Sequence, residues 1–101
     1  MVAVALWVRL EAKAGKENEV ARFLDGGRAI VMDEPGTITW YAVRLGPRSF
    51  AIFDTFQNDD GRRAHLEGRV AAALMAKAGE LLASPPSIEK IDVIASKIPG
   101  A

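Results

Sequence analysis

The chain contains no cysteine and a single histidine, and its 13 basic and 13 acidic residues cancel. Without cysteine there is no disulfide framework, no thiolate nucleophile and no cysteine-held metal site. The lone His65 cannot form a histidine cluster. Balanced charge runs against phosphate-tracking nucleic-acid binding, which draws on a basic excess. Long hydrophobic runs are missing too. Met1 to Val8 is apolar, but no basic stretch precedes it and Arg9 ends it, short of a signal peptide or a membrane span. The expectation is a soluble, cytoplasmic domain with neither a membrane nor a nucleic acid as partner. Gly26-Gly27 is no phosphate loop, because no Gly-x-Gly-x-x-Gly or Gly-Lys-Ser/Thr pattern follows a strand. A nucleophile elbow of the Gly-x-Ser-x-Gly kind is absent, as is metal-ligand spacing, so no cofactor and no metal are expected.

What is present is an ordinary globular composition, 50% hydrophobic and 26% charged over 101 residues. That length suits one domain, residues 1–101, with a core that burial against a second subunit would help. Val2 to Glu11 alternates strictly, with Val2, Val4, Leu6, Val8 and Leu10 on one side, and reads as a strand. A helix follows Gly15-Lys16-Glu17, with Val20, Phe23, Leu24, Gly27 and Val31 as its apolar stripe. Gly26-Gly27 in its middle points to a kink or a close backbone approach, and Glu34-Pro35-Gly36 stops it. Thr37 to Leu45 and Ser49 to Gln57 read as strands joined by the turn Gly46-Pro47-Arg48. Asn58-Asp59-Asp60 supplies helix caps, Gly68 interrupts, and an alanine-rich helix runs from Arg69 to about Ala83 before Ser84-Pro85-Pro86. Ser87 to Lys97 is the last strand.

The order βαββαβ is the ferredoxin-like arrangement, an α+β fold with a four-stranded antiparallel sheet and helices on one face. The other face of such a sheet should be polar in a monomer. Strands two and three instead carry apolar residues on both parities, so a homodimer joined through sheet faces is expected, with Trp7 and Tyr41 at the contact.

From Glu34-Pro35-Gly36 to His65 the sequence resembles the antibiotic biosynthesis monooxygenase family. The matching features are the acidic-Pro-Gly lead into strand two, Trp40 four residues after the glycine, and Asp54-x-Phe56 followed nine residues later by His65. The resemblance implies a dimeric α+β barrel with a small pocket between sheet and helices. It also implies oxygen chemistry on a small aromatic molecule, phenol-, quinol- or anthrone-like, without metal or flavin. Two positions depart from the family pattern. Phe56 stands where members commonly carry tryptophan, and Val8 stands where the haem-degrading branch carries asparagine. Haem degradation is therefore set aside.

His65 is the one side chain that titrates near neutrality unaided. It either abstracts a substrate proton as a catalytic base or merely caps a hydrogen bond at a helix end. Asp54, the other catalytic candidate, lies among apolar neighbours, and burial raises a carboxyl pKa unless a cation pairs with it. Arg9 and Arg44 are the candidate cations. Trp40 is either core or a stacking surface whose N–H donates to substrate, and Phe56 is the candidate second pocket wall. Trp7 and Arg9 share a face suited to the dimer contact. Arg62, Arg63 and Arg69, interleaved with Asp59, Asp60 and Glu67, read as a solvated helix face. Three functional classes remain: an oxygenase, a non-catalytic dimeric module for a hydrophobic ligand, and an isomerase or lyase using His65 as a base.

Overall fold

The computed structural model describes residues 1–100. Its elements are β1 (Val4–Glu11), α1 (Glu17–Val31), β2 (Thr37–Arg44), β3 (Ser49–Phe56), α2 (Asp59–Leu66), α3 (Arg69–Leu81) and β4 (Ser87–Asp92). They form one four-stranded antiparallel sheet in the order β2-β3-β1-β4. This is the ferredoxin-like α+β topology expected from the order of elements, with the helices on one face.

Alternation decides which residues meet the helices. Leu6, Val8 and Leu10 of β1 and Phe50, Ile52 and Phe56 of β3 are all buried, packed with Val20 and Leu24 of α1 and Leu74 and Leu81 of α3. Along α1 the buried positions Val20, Leu24, Gly27 and Val31 recur at helical spacing. The helix runs unbroken through Gly26-Gly27. Gly27 serves a close approach, because a Cβ there would sit 3.5 Å from the ring of Trp40 on β2. Asn58 caps α2, its side chain accepting from the Gly61 N–H at 3.0 Å.

Three sequence expectations change. The last strand ends at Asp92, not Lys97. Its final rung is the Val93 N–H to the Ala3 carbonyl, and β1 offers no further partner, so Ile94 is fully exposed. Arg62 is not on a solvated face. Its side chain is 11% exposed and donates from Nη1 to the carbonyls of Ala5 and Ile91, tying α2 across β1 and β4. Arg63 does lie outside, beside Asp59 and Asp60. The third change is a β-bulge in β2. Thr37 pairs with Phe56 while Thr39 pairs with Thr55, leaving Ile38 extra. Plain alternation puts Thr37 and Trp40 on opposite faces, whereas the bulge turns both toward the helices.

Among the described residues no helix is long and apolar enough to cross a membrane.

Candidate active site

The site is assembled from three pieces of chain that the sheet register and one backbone contact bring together. On β3, Asp54 stands opposite Trp40 of β2 and Leu6 of β1, and it faces the helices from the centre of the sheet. It is completely buried. His65 comes from the last turn of α2 and is 7% exposed. Glu34 comes from the turn between α1 and β2. That turn is held against α2 by glycine on glycine: a Cβ on Gly61 would lie 3.0 Å from the Gly36 carbonyl oxygen. Only a chain without side chains at both positions lets the turn approach this closely.

His65 is held between two carboxylates. Its Nδ1 lies 2.6 Å from Glu34 Oε1, and its Nε2 lies 2.9 Å from Asp54 Oδ2. Thr37, turned inward by the bulge, donates from Oγ1 to the same Glu34 oxygen at 2.8 Å. The Phe56 ring packs on the imidazole with centroids 5.5 Å apart. With an acceptor at each ring nitrogen, the imidazolium is the form that satisfies both contacts. Burial alone pushes the His65 pKa down, but bonding to Asp54 and then to Glu34 outweighs it, and the net shift is upward. The imidazole therefore holds a proton more tightly than a free histidine does.

In front of this cluster lies a cavity of about 660 Å³ between α1 and β2. That is within the range of small-molecule sites, about 300–1,000 Å³. Glu34 and Thr37 stand at one end, Trp40 forms part of the wall, and Arg44 and Phe50 lie toward the other end of β2. The Trp40 indole Nε1 is buried without a hydrogen-bond partner.

Of the residues singled out from sequence, Asp54, His65 and Trp40 come together here, with Phe56 immediately behind. Phe56 is not a cavity wall: it is fully buried in the core and supports the imidazole. Nor is Asp54 paired with Arg9 or Arg44, because His65 occupies that role. Arg9 lies exposed on the opposite face, and Arg44 projects over the Phe50 ring at 4.6 Å. Sequence reasoning missed Glu34 and Thr37 as site residues. Glu34 was visible as the acid of Glu34-Pro35-Gly36, a stop signal for the helix and the acidic-Pro-Gly lead of the family resemblance but not a site residue, and nothing in the pattern marked the bulge that turns Thr37 inward. Trp7 lies away from this site, in one cross-strand row with Phe53 and Tyr41 on the face without helices, and Tyr41 also borders the cavity.

No protein-family model and no curated protein matches the sequence. Among solved structures the fold is that of the antibiotic biosynthesis monooxygenases, as the resemblance implied. A proposed monooxygenase of this kind from Caulobacter crescentus CB15 superposes with a TM-score of 0.80 at 20% identity, over 93% of this chain and 92% of that one. Another from Nitrosomonas europaea gives 0.81 at 14% identity, over 91% and 99%. Within that fold the chain belongs to the family of the NE2512 protein of unknown function from Nitrosomonas europaea. The two are 48% identical over 100% of this chain and 98% of that one, with a TM-score of 0.97.

Proposed function

We propose that this protein is a cofactor-independent monooxygenase acting on a small phenol-, quinol- or anthrone-like aromatic with dioxygen. The observation that carries this reading is the Asp54–His65–Glu34 relay ending at an aromatic-walled cavity. Glu34 is the member of the relay that meets the cavity, so it touches substrate while His65 acts behind it. The substrate gives its O–H or activated C–H proton to the Glu34 carboxylate. From there the proton passes to neutral His65 through the 2.6 Å contact at Nδ1, and Asp54 stabilises the imidazolium that forms. The substrate anion passes one electron to dioxygen, and the substrate radical and superoxide combine in a C–O bond. The resulting peroxide anion takes the stored proton to become a hydroperoxide, which loses water across its C–H and O–O bonds, leaving a carbonyl. One oxygen atom ends in product and one in water, and the substrate supplies all the electrons. Trp40 in the cavity wall gives the substrate ring a surface to stack on.

Oxygen uptake with a panel of hydroquinones and anthrones tests this. The wild type consumes oxygen with at least one substrate and releases the carbonyl product, while Glu34→Gln and His65→Ala lose at least about a hundredfold. Uptake that is no greater in the wild type than in both variants overturns it.

A second reading draws on the same geometry. Both His65 nitrogens are engaged, which also suits a structural cluster under a ligand-binding cavity in a non-catalytic module. Binding of aromatics without turnover, unchanged in His65→Ala, favours that module.

We further propose that the active unit is a homodimer formed through the face without helices. Tyr41 is 56% exposed there, Val43 lies beside it, and Trp7 and Phe53 form a tilted aromatic pair at 6.5 Å. A second copy of this face is the simplest complement to an apolar sheet surface, and a standard interface needs about 800 Å² per partner.

A further inference from the structure

When the imidazole gives up a proton, one of the two carboxylates beside it loses a donor, and the two are not equally placed to bear that loss. Asp54 is completely buried, and its Oδ1 has no hydrogen-bond partner. The only side chain paired with it among the described residues is His65, whose Nε2 lies 2.9 Å from Oδ2. Glu34 has a second partner. Thr37 donates from Oγ1 to Glu34 Oε1 at 2.8 Å, the same oxygen that lies 2.6 Å from His65 Nδ1. The hydroxyl stands 3.5 Å from Nδ1 itself, so carboxylate, imidazole and hydroxyl meet at one point.

Local chain geometry fixes this meeting. Residues 34–37 make a tight turn, closed by the Thr37 N–H to the Glu34 carbonyl at 3.2 Å, with Pro35 second and Gly36 third. The extra residue Ile38 then aims the Thr37 side chain toward the helices, and bulges often re-aim a side chain beside a functional site. On the other side, a Cβ on Gly68 would lie 3.2 Å from Glu34 Oε2, so the carboxylate is confined there as well. The charged groups that act on the imidazole are Asp54 from β3 and Glu34 from the turn. From α2 itself, Arg62 and Arg63 are engaged with Asp59 and Asp60. Arg28, in the last turn of α1, lines the cavity and is in no ion pair among the described residues.

We propose that Thr37 is a positioning residue: it holds the Glu34 carboxylate in place while His65 is neutral, and so fixes Nδ1 as the nitrogen that gives up and takes back the proton. Loss of the Nδ1 proton leaves Glu34 with the Thr37 O–H, whereas loss of the Nε2 proton would leave Asp54 buried with no donor. The neutral ring therefore keeps its proton on Nε2, against Asp54. This rests on the reading of the cluster as a proton relay and adds which nitrogen works and what keeps it working.

Because the chain has one histidine, its imidazole gives a single, unambiguous set of nitrogen NMR signals. In the wild type, above the pH at which His65 loses its charge, the Nε2–H tautomer should predominate; a predominant Nδ1–H tautomer overturns the proposal without any variant. Thr37→Val keeps the β-branched shape that suits a strand and deletes the donor. With the imidazolium then the sole side-chain donor to Glu34, the His65 protonation constant should rise about three- to tenfold, the worth of one hydrogen bond. The Nδ1–H tautomer should gain in the same variant, and the acid limb of the oxygen-uptake rate should move up by the same factor. Thr37→Ser, which keeps the hydroxyl, should restore the wild-type values. A protonation constant that stays or falls in Thr37→Val, or that rises equally in Thr37→Ser, overturns the assignment. A merely structural threonine would lower the unfolding temperature and leave the constant unmoved. The expected NMR changes in a protein that consumes no oxygen with any substrate of the panel would uphold Thr37 and remove the oxygenase reading.

Discussion

Two rows of residues cross the sheet one position apart and have opposite characters. Trp40, Asp54, Leu6 and Lys90 face the helices, and Tyr41, Phe53, Trp7 and Glu89 face away. The first row places a completely buried carboxylate beside an indole and under an imidazole. The second is a ladder of aromatics with nothing over it. On the covered face the buried charge of Asp54 is tolerated because His65 lies within 3 Å of it and Glu34 within 3 Å of His65. On the open face the rings of Tyr41, Phe53 and Trp7 are contiguous, and the charges of Glu89 and Arg9 stand at their margin. One pleat of the backbone thus separates a face that buries a charged cluster from a face that exposes aromatic rings.

The largest effect that tests this contrast comes from removing the central cation. His65→Ala leaves Asp54 and Glu34 in a buried site without the group that separates them, and breaking a buried pair in this way costs about 3 kcal/mol. In a domain of this size that corresponds to a fall in Tm of at least about 12 °C. The same truncation on the open face, Tyr41→Ala, removes no buried partner and should cost the protomer itself less than about 0.5 kcal/mol. Urea titration of the two variants at low micromolar concentration measures both. Equal losses would mean that the imidazole is no keystone of the covered face.

Charge placed on the open face should separate association from folding. Trp7→Glu puts a carboxylate in the aromatic row beside Phe53, where a paired sheet face would bury it. The expected outcome is a shift in sedimentation equilibrium from dimer toward monomer, by at least about tenfold in the dissociation constant. The far-ultraviolet spectrum should be retained. A wild type that sediments as a monomer at micromolar concentration, folded and stable, removes the dimer and with it the reason for an apolar outer face.

Most of the fold was legible in the sequence, because alternation in β1 and helical spacing in α1 and α3 each name one buried face. The site was legible only in part. Asp54 and His65 stood out as a lone carboxylate in an apolar strand and a lone histidine, and the family resemblance tied them together. The partner of Asp54 did not follow, since the candidate cations were arginines on strands while the true partner arrives from α2. Glu34 and Thr37 were hidden for different reasons. Glu34 lies in a turn, where no periodicity assigns a direction to a side chain. Thr37 follows the parity rule until an extra residue, Ile38, reverses it. Arg62 looked solvated because it sits in a charged run, and only the tertiary approach of α2 to β1 and β4 buries it.

The histidine cluster also predicts opposite responses of stability and turnover to pH. Because the folded pKa of His65 is raised above its unfolded value, the stability it contributes is fully present below about pH 6.5. That contribution is lost as pH rises through the folded pKa. Turnover should move the other way, since only neutral His65 accepts the proton that Glu34 takes from substrate. Urea midpoints and initial rates measured from pH 6 to pH 9 should therefore cross, with stability falling as rate climbs. In His65→Gln both trends should flatten. A rate that falls across this range together with stability would place the working base elsewhere.

The smallest effect concerns the contact that shapes the cavity wall. Gly26 and Gly27 are adjacent in the interior of α1, and alanine is favoured over glycine there by roughly 0.5–1 kcal/mol. A Cβ at Gly26 meets nothing within 4 Å, so Gly26→Ala should gain close to that full amount. A Cβ at Gly27 meets the Trp40 ring at 3.5 Å, which is ordinary contact, so Gly27→Ala should gain a similar amount and leave the ring in place. Valine at the same site adds two methyl groups to a space already closed by the indole, and overpacking of this kind costs about 1–3 kcal/mol. The sign should therefore reverse between Gly27→Ala and Gly27→Val, while Gly26→Val, pointing into open space, should show no such penalty beyond helix propensity. Thermal unfolding of the four variants, read with the fluorescence of Trp40 in a Trp7→Phe background, tests whether α1 and the indole meet as closely as this. A Gly27→Val variant as stable as Gly26→Val would show that α1 stands off from Trp40 and that the cavity is wider than 660 Å³.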